Sequence, residues 1–475
     1  MIGWAIVRSS SNQQGYVNFN SLVYKRTEGK APGAANAHPH LSEREMNQDR
    51  MSANSGGRPT CVVRGSINHD EYFYVHHIAR PGETISSYDH ESRVGGKGAN
   101  QAVAVARAGA AVRFYGTIGE DGLWIKERME RWGIGVEGIL VGDEPTGRAI
   151  IQVDEEGENS IILFPGANHS ELHETLFSRH ASPSSSPPPP HVHPASASRS
   201  PLTSHSSPPT GWFPPATHLL LQNEISRAST YYALQHAREG TTVVLNPSPL
   251  PSEEEIRAFM WHRVDWLLVN EREARGLYGA LTNRGGKEGS ARASSSPRIN
   301  PGGGGGVGGS GTGNSMGSPT QTLSNRELIA RLSALPAFAN VNIVCTLGAD
   351  GVLAFVPAFH RPRTPVEAPS FMHLPAARLI GGVPKDTTGA GDTFAGYFVA
   401  GLMEFGEGAW VGRGVGHGSD GRVGGRGREI KEADVVRLLK VCVQAAGMCV
   451  EKSGTIESIP TRAQVEERMA MAMSA

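Results

Sequence analysis

Long apolar runs, aromatic residues, cysteines and net charge are all scarce in this 475-residue chain. No apolar stretch reaches the roughly 20 residues of a membrane-spanning helix, so no membrane partner is expected. The opening residues, MIGWAIVRSS, hold too short an apolar segment for a secretory signal peptide. Arg8, Lys25 and Arg26 in a Ser/Asn-rich, acid-poor leader leave a mitochondrial address as an alternative to the cytoplasmic location expected, with the nucleus also open. A formal net charge of -1 supplies no global field for nucleic acid or anionic lipid, and suits a small-molecule enzyme. The 4 cysteines, Cys61, Cys345, Cys442 and Cys449, have no CxxC spacing. Three of them sit in apolar runs, which predicts buried, reduced thiols rather than disulfides or metal ligands.

Glycine and proline, at 59 and 31 residues, are plentiful and bunched. They concentrate in low-complexity insertions near 180–211, 283–322 and 412–429; these, and a leader over 1–58 rich in Ser, Asn, Gly and Ala, have compositions that predict disorder. The last, GRGVGHGSDGRVGGRGRE, has an Arg-Gly character that suits RNA, but without interleaved aromatics a surface loop is the reading preferred and no nucleic-acid partner is expected. Subtracting these leaves one domain over 59–465 with roughly 310 foldable residues, enough for a single large core.

Within it, β-branched runs alternate with helical segments. TCVVRGSIN, VRFYGTIG, HLLLQNEI, TTVVLNPSP, VDWLLVNEREA, VNIVCTLGADG and GVLAFVPA read as strands, ANQAVAVARAGA and LWIKERMERWG as helices. EYFYVHHI and ETISSYDHE suggest exposed strands, and TGRAIIQVDEEGENSIILFPGAN a hairpin. The alternation predicts an α/β fold: a mostly parallel central sheet flanked by helices, with ligand loops past the carboxyl ends of the strands.

Two glycine-rich segments carry the chemistry. PKDTTGAGDTFAGYFVAGL lacks the Lys-Ser/Thr pair of a Walker A loop and has an acid inside its turn, unlike a dinucleotide fingerprint. Gly389, Ala390 and Gly391 can converge backbone N–H groups on an anion at a helix N-terminus. Asp392 then stands beside the reacting atoms and can accept a proton from an attacking hydroxyl, or else is an ordinary N-terminal cap. VGGKGANQAVAVARAG sets Gly95, Gly96, Lys97, Gly98 and Asn100 before a small-residue helix, either a sugar cradle or a tight turn with a solvated lysine. GSINHD places Asn68 and Asp70 after a strand end, suited to vicinal hydroxyls. NEREA and TLGADG place Asn270, Glu273, Thr346 and Gly348 after later strands, suited to nucleotide phosphates and magnesium-bound water.

Together, GSINHD, GGKGANQA, GENS, PGAN, NPSP, VNEREA, TLGADG, DTTGAGDTFAG and SGTIESIP resemble the ribokinase-type carbohydrate kinases, the PfkB family, and within it the ribokinase branch most of all. The resemblance implies a three-layer α/β domain with a small β-sheet lid over about 71–93 and 146–163, and ATP-dependent phosphorylation of ribose at O5. It places ribose on Asn68, His69, Asp70, Gly96, Lys97, Gly98, Ala99, Asn100 and Glu224, with Asp392 as base. It places ATP on Asn270, Thr346, Leu347, Gly348, Ala349, Asp350, Gly351, Gly391 and Asp392, with Mg2+ as divalent partner. A K+ site is implied at Asp386, Thr388, Cys449, Lys452, Gly454 and Ser458, against the alternative that Asp386 and Thr388 form a local turn. Pairing of lids implies a homodimer. His69 departs from the apolar residue usual there, either altering the sugar pocket or facing solvent. Another sugar or a nucleoside, fructose or adenosine among them, is the near alternative as substrate, and a non-catalytic sensor the remote one.

Overall fold

Successive residues of the first buried strand belong to different cores. In β1 (Cys61–Arg64), Cys61 and Val63 pack into one apolar cluster and Val62 into another. The same split runs through β8 (His218–Leu221) and β9 (Thr242–Leu245): Leu220 and Val244 face the first cluster, Leu219, Leu221, Val243 and Leu245 the second. Strands apolar on both faces must be covered on both faces, and this is why the runs read as continuous rather than alternating.

The computed structural model describes residues 59–174, 216–283, 323–364, 366–406, 409–411 and 429–474. The predicted leader lies outside them, as do the three predicted insertions apart from the terminal residues Asn283 and Glu429. Among the described residues, nine strands form the central sheet in the order β13-β12-β11-β10-β9-β8-β1-β4-β5. Here β4 is Val112–Ile118, β5 Gly135–Val141, β10 Trp266–Asn270, β11 Asn342–Thr346, β12 Val352–Phe355 and β13 Met372–Leu374. Pairing is parallel from β5 across to β11, and only β12 and β13 run antiparallel at one edge. The predicted mostly parallel α/β sheet is therefore the observed one, and the carboxyl ends of β1 and β8 to β11 share one edge.

A smaller sheet has the order β3-β2-β6-β7, with β2 over Asn68–Tyr74, β3 over Asp89–Gly95, β6 over Gly147–Val153 and β7 over Asn159–Phe164. The hairpin read from TGRAIIQV and NSIILF is present, with Val153 opposite Asn159. The two strands before it differ from the sequence reading. β2 begins three residues earlier than EYFYVHHI and ends at Tyr74, and its partner begins only at Asp89. The Tyr74–Asp89 pair closes the ladder, so residues 75–88 leave the sheet through a turn at Pro81–Gly82, Gly82 having φ 83°.

The helix Ala390–Met403 lies between two others, Lys97–Arg107 and Glu432–Val450. Small residues make the first contact close: a Cβ on Gly396 would stand 2.3 Å from the Ala104 Cβ and 2.7 Å from the Gln101 carbonyl oxygen. All four cysteines are buried and unpaired, in keeping with the absence of CxxC spacing. Among the described residues no helix is long and apolar enough to cross a membrane.

Gly396→Ala is expected to destabilise the protein by about 1–3 kcal/mol in denaturant unfolding, because two backbones must part. Gly401→Ala, whose Cβ would meet only the flexible end of Leu438 at 2.1 Å, is the comparison and is expected to cost less. Equal losses would mean that the close approach at Gly396 is not limiting.

Candidate active site

The chain leaving β1 passes through Gly65 and Ser66 into β2, and Ser66 ties it to a distant helix. Its hydroxyl donates to Glu224 Oε2 (2.7 Å) and accepts from the Gly98 N–H (3.2 Å), while its carbonyl accepts from the Ala99 N–H (2.9 Å). The Lys97 N–H donates to the same Glu224 oxygen (2.8 Å). Glu224 thus pins the helix start Lys97–Ala99 against the β1–β2 loop. Contact this tight needs two glycines face to face: a Cβ on Gly98 would lie 2.7 Å from the Gly65 Cα. Gly96 precedes the helix at φ 88°.

In β2 the alternation of a strand sends Asn68 and Asp70 to one face and His69 to the other. Asn68 Oδ1 accepts from Asn168 Nδ2 (2.7 Å), and Asn168 in turn accepts from the Ile67 N–H (2.8 Å). His69 turns its ring edge-on to Trp124 at 5.2 Å. Strand parity therefore keeps its side chain off the face that Asn68 and Asp70 share.

Asp392 is in the first turn of Ala390–Met403 but does not cap it. The cap position is Gly389, in the left-handed region at φ 78°, with no side-chain cap. The Asp392 carboxylate instead crosses to the helix Lys97–Arg107, where Asn100 Nδ2 donates to Oδ2 (3.0 Å) and Gln101 Nε2 to Oδ1 (2.9 Å). The capping alternative for Asp392 therefore fails on geometry. The Lys97 ammonium is held above its ordinary pKa, first by the Asp392 charge, with Glu224 adding to it against burial, so it stays cationic beside the carboxylate. Open space lies over Gly391, where no atom would meet a Cβ within 4 Å.

A cleft of about 300 Å³ opens from this point. Lys97, Asp392 and the Thr387–Gly391 turn bound it on one side, Asn270, Glu273 and Thr346 on another. Asn270 and Glu273 are first of all a reciprocal cap of the helix Glu271–Thr282: Asn270 Oδ1 accepts from the Glu273 N–H (2.8 Å), and Glu273 Oε2 from the Asn270 N–H (2.9 Å). Beyond Thr346, residues Gly348–Asp350 form an exposed turn closed by the Leu347 N–H donating to the Gly351 carbonyl (2.8 Å). Gly351, at φ 88°, sits against the Leu374 carbonyl, and of this loop only Thr346 lines the cleft.

Asp386 accepts from the Thr388 N–H (2.9 Å) and the Gly454 N–H (3.0 Å). Burial opposes its charge, but these donors and Arg93 outweigh it and hold the carboxyl below its usual range. The Cys449 sulfur lies 3.0 Å from Ser458 Oγ and donates to the Thr388 carbonyl at 3.8 Å, and burial raises its thiol pKa. Asp386, Thr388, Cys449, Gly454 and Ser458 are thus one cluster, with an Asp386–Thr388 turn inside it. The Lys452 side chain is exposed and its N–H donates to the Cys449 carbonyl. Among the described residues no group of three His, Cys, Asp or Glu side chains is arranged to hold a metal.

Asp70 has the most perturbed carboxyl in the site. Burial pushes it up to about 8, the Glu224 charge adds to this, and Oδ1 has no hydrogen-bond partner. Residues not singled out from sequence also converge here: Gln101, Asn168, Gln222, Asn246 and Ser248. Four of them stand in GGKGANQA, PGAN and NPSP, so the signal was the motif rather than the single residue. Gln222, two residues before Glu224, had no such signal.

The pfkB family carbohydrate kinase profile matches residues 58–183 and 316–462. A ribokinase from Haemophilus influenzae is 29% identical over 419 residues, covering 86% of this chain and 98% of its own. The crystal structure of a ribokinase from Cryptococcus neoformans var. grubii in complex with ADP is 36% identical, covers 86% of this chain and 99% of that one, and superposes with a TM-score of 0.57. An Arabidopsis thaliana ribokinase complexed with ribose and ATP, 21% identical with a TM-score of 0.53, shares the fold. A phosphotransferase site built from these motifs, on this sheet, with these relatives, makes the chain a member of the pfkB family of carbohydrate kinases, in its ribokinase branch.

Proposed function

We propose that this kinase transfers the γ-phosphoryl group of ATP to O5 of D-ribose, giving D-ribose 5-phosphate and ADP. The observation that carries the reading is the Asp392 carboxylate, held by Asn100 and Gln101 at the edge of a cleft that the Gly389–Gly391 turn lines beside it. Asp392 takes the O5 proton as that oxygen attacks the γ-phosphorus, the bond to the β-phosphate oxygen breaks, and ADP leaves. The open backbone at Gly391 and the helix N-terminus receive the transferring group, and Lys97 adds a fixed positive charge beside it.

On the sugar side, Asn68, Asp70, Asn100 and Glu224 offer acceptors and donors to hydroxyls, with Gly96, Gly98 and Ala99 letting the ring approach the backbone. The smaller sheet closes over it as a lid. On the nucleotide side, Asn270, Thr346 and the loop through Leu347, Gly348, Ala349, Asp350 and Gly351 take ATP. Glu273, buried and lining the cleft, is an oxygen donor that fits water bound to the magnesium of ATP. The Asp386 cluster fits potassium: an ionised carboxylate, the Thr388 carbonyl and the Ser458 hydroxyl are hard oxygen donors, with Lys452 and Gly454 on the loop of Ser458 and Cys449 in the last turn of the helix before it. Such an ion would order the backbone that leads into Gly389.

The lid has an unprotected edge. In β7, Ile161, Ile162, Leu163 and Phe164 are about half exposed, so both faces of one strand show apolar side chains. A second lid covering that edge accounts for this surface and supports a homodimer. Ile162→Lys with Leu163→Glu is expected to shift the sedimentation coefficient to that of a monomer; a wild-type protein already monomeric at micromolar concentration would remove the dimer.

ADP release over a panel of pentoses, hexoses and nucleosides, in potassium and in sodium, tests the substrate. Ribose in potassium is expected to turn over fastest. Preference for fructose or adenosine would replace ribose as substrate, and indifference to the ion would remove the potassium site. Asp392→Asn is expected to lower kcat roughly 10²- to 10⁴-fold while ribose still binds.

Asp70 sets a pH dependence. Its folded pKa of about 8 lies above the ordinary value, so the folded state binds the extra proton between pH 4 and 8. That stabilisation is complete below pH 4 and is lost as pH rises through 8. Asp70→Asn should therefore raise the Tm of the sugar-free protein by roughly 2 °C or more at pH 8.5, with a smaller gain at pH 5.5, and weaken ribose binding. Equal Tm gains at both pH values would show that Asp70 is not protonated in the free protein.

A further inference from the structure

Gln101 and Gln222 are completely buried amides and neither lines the cleft. Their orientation is fixed from one end. The Leu268 carbonyl can only accept, so Asn246 presents its Nδ2 there (3.0 Å) and turns its Oδ1 the other way. That oxygen can only accept, so the amide of Gln101 presents Nε2 to it (3.2 Å). The second hydrogen on the same nitrogen points to Asp392 Oδ1 (2.9 Å), and Gln101 Oε1 is left to accept from Gln222 Nε2 (2.6 Å). Flipping Gln101 would aim its carbonyl at a carboxylate and at another carbonyl, and its amino group at that of Gln222. The three amides hold one sense only.

The path also has a steric condition. A Cβ on Gly65 would stand 2.2 Å from Gln222 Oε1, so the glycine that opens GSIN leaves the space in which Gln222 lies. Asn100, the other donor to Asp392, belongs to the proposed sugar side and must serve a hydroxyl as well. Gln101 is fully buried and does not line the cleft, and its other hydrogen bonds are to the fixed amides of Asn246 and Gln222.

We propose that Gln101 is the positioning residue of Asp392, and that Gln222 acts through it by fixing the sense of its amide. The inference rests on Asp392 being the base. Gln101 holds Oδ1 in place, so that the carboxylate keeps its aim at O5 when Asn100 engages the sugar.

Gln101→Met keeps the length of the side chain and removes the donor; Gln222→Met removes only the second link. For Gln101→Met, kcat is expected to fall about 10- to 100-fold, the worth of one hydrogen bond to a charged group, with KM for ribose within about threefold. Gln222→Met should lose about 3- to 10-fold in kcat, and the double variant no more than Gln101→Met alone, because both act through one contact. Calorimetric ribose binding without ATP should be retained throughout. A folded Gln101→Met with near-normal kcat overturns the proposal, as does a loss that falls on ribose affinity, or single-variant losses that multiply. Should Gln101→Met not fold, Gln222→Met decides alone: lowered kcat with ribose binding kept supports the relay, and unchanged kcat overturns it. Asp392→Asn, assayed in parallel, separates the two readings. If it still turns over, the base assignment falls; if it is inert while Gln101→Met is normal, only the positioning role falls.

Discussion

One buried carboxylate, met by two amides from a helix nearly three hundred residues away in sequence, is the constraint on which the site depends. An aspartate in the first turn of a helix would ordinarily satisfy itself on that helix's own N–H groups. Here Gly389 takes the cap position and frees Asp392 to reach sideways. The reach works only because the two helices nearly touch, which Gly396 and Ala104 permit. The parallel sheet then brings the loops after β1, β8, β9, β10 and β11 to the same edge. Sequence separation is large, but the spatial problem is local: two helices, one acid, two amides.

The parts of this arrangement that were legible in the sequence are those whose chemistry is carried by residue type at short range. Apolar β-branched runs gave the parallel strands, and the glycines of GGKGAN and TTGAGD marked where backbone must turn or approach closely. Legibility ended where the partner of a side chain decides its role. Gln101 stands inside GGKGANQA, yet only the position of Asp392 makes it a donor to a carboxylate. Gln222 has no motif, and its role follows from Gln101. Parity explains His69: a one-residue step along β2 puts a side chain on the other face, and a motif quoted as a block hides that. The lid strands were misplaced because EYFYVHHI and ETISSYDHE have strand-like composition to both sides of the Tyr74–Asp89 pair that closes the ladder.

Asn270 and Glu273 show the reverse case, in which a local signal was present and a distant one was preferred. N-x-x-E ahead of a helix is a capping box, and in the structure each side chain serves the other's backbone. The cap does not remove them from the cleft wall. It fixes them there, since a side chain committed to one backbone N–H presents its remaining oxygen lone pairs in a constant direction. Capping and lining the cleft coincide in these two residues.

Three acids near the site can be ranked by what already satisfies them. Asp386 accepts from two backbone N–H groups, donors that cannot leave, and its carboxyl is held below the usual range. It is complete as it stands and its charge is available to order the turn or a cation beside it. Asp392 accepts from two side-chain amides, so its environment can change by rotation of a side chain without moving the backbone. Asp70 has an oxygen with no partner and a carboxyl raised to about 8, the condition of a buried acceptor waiting for a donor. Hydroxyls of a sugar are such donors. In the proposed reaction, the order from satisfied to unsatisfied is the order from scaffold to proton acceptor to substrate grip. On that proposal, the cost of leaving a carboxyl unpaired is concentrated, among these three, at the acid whose partner arrives with the substrate.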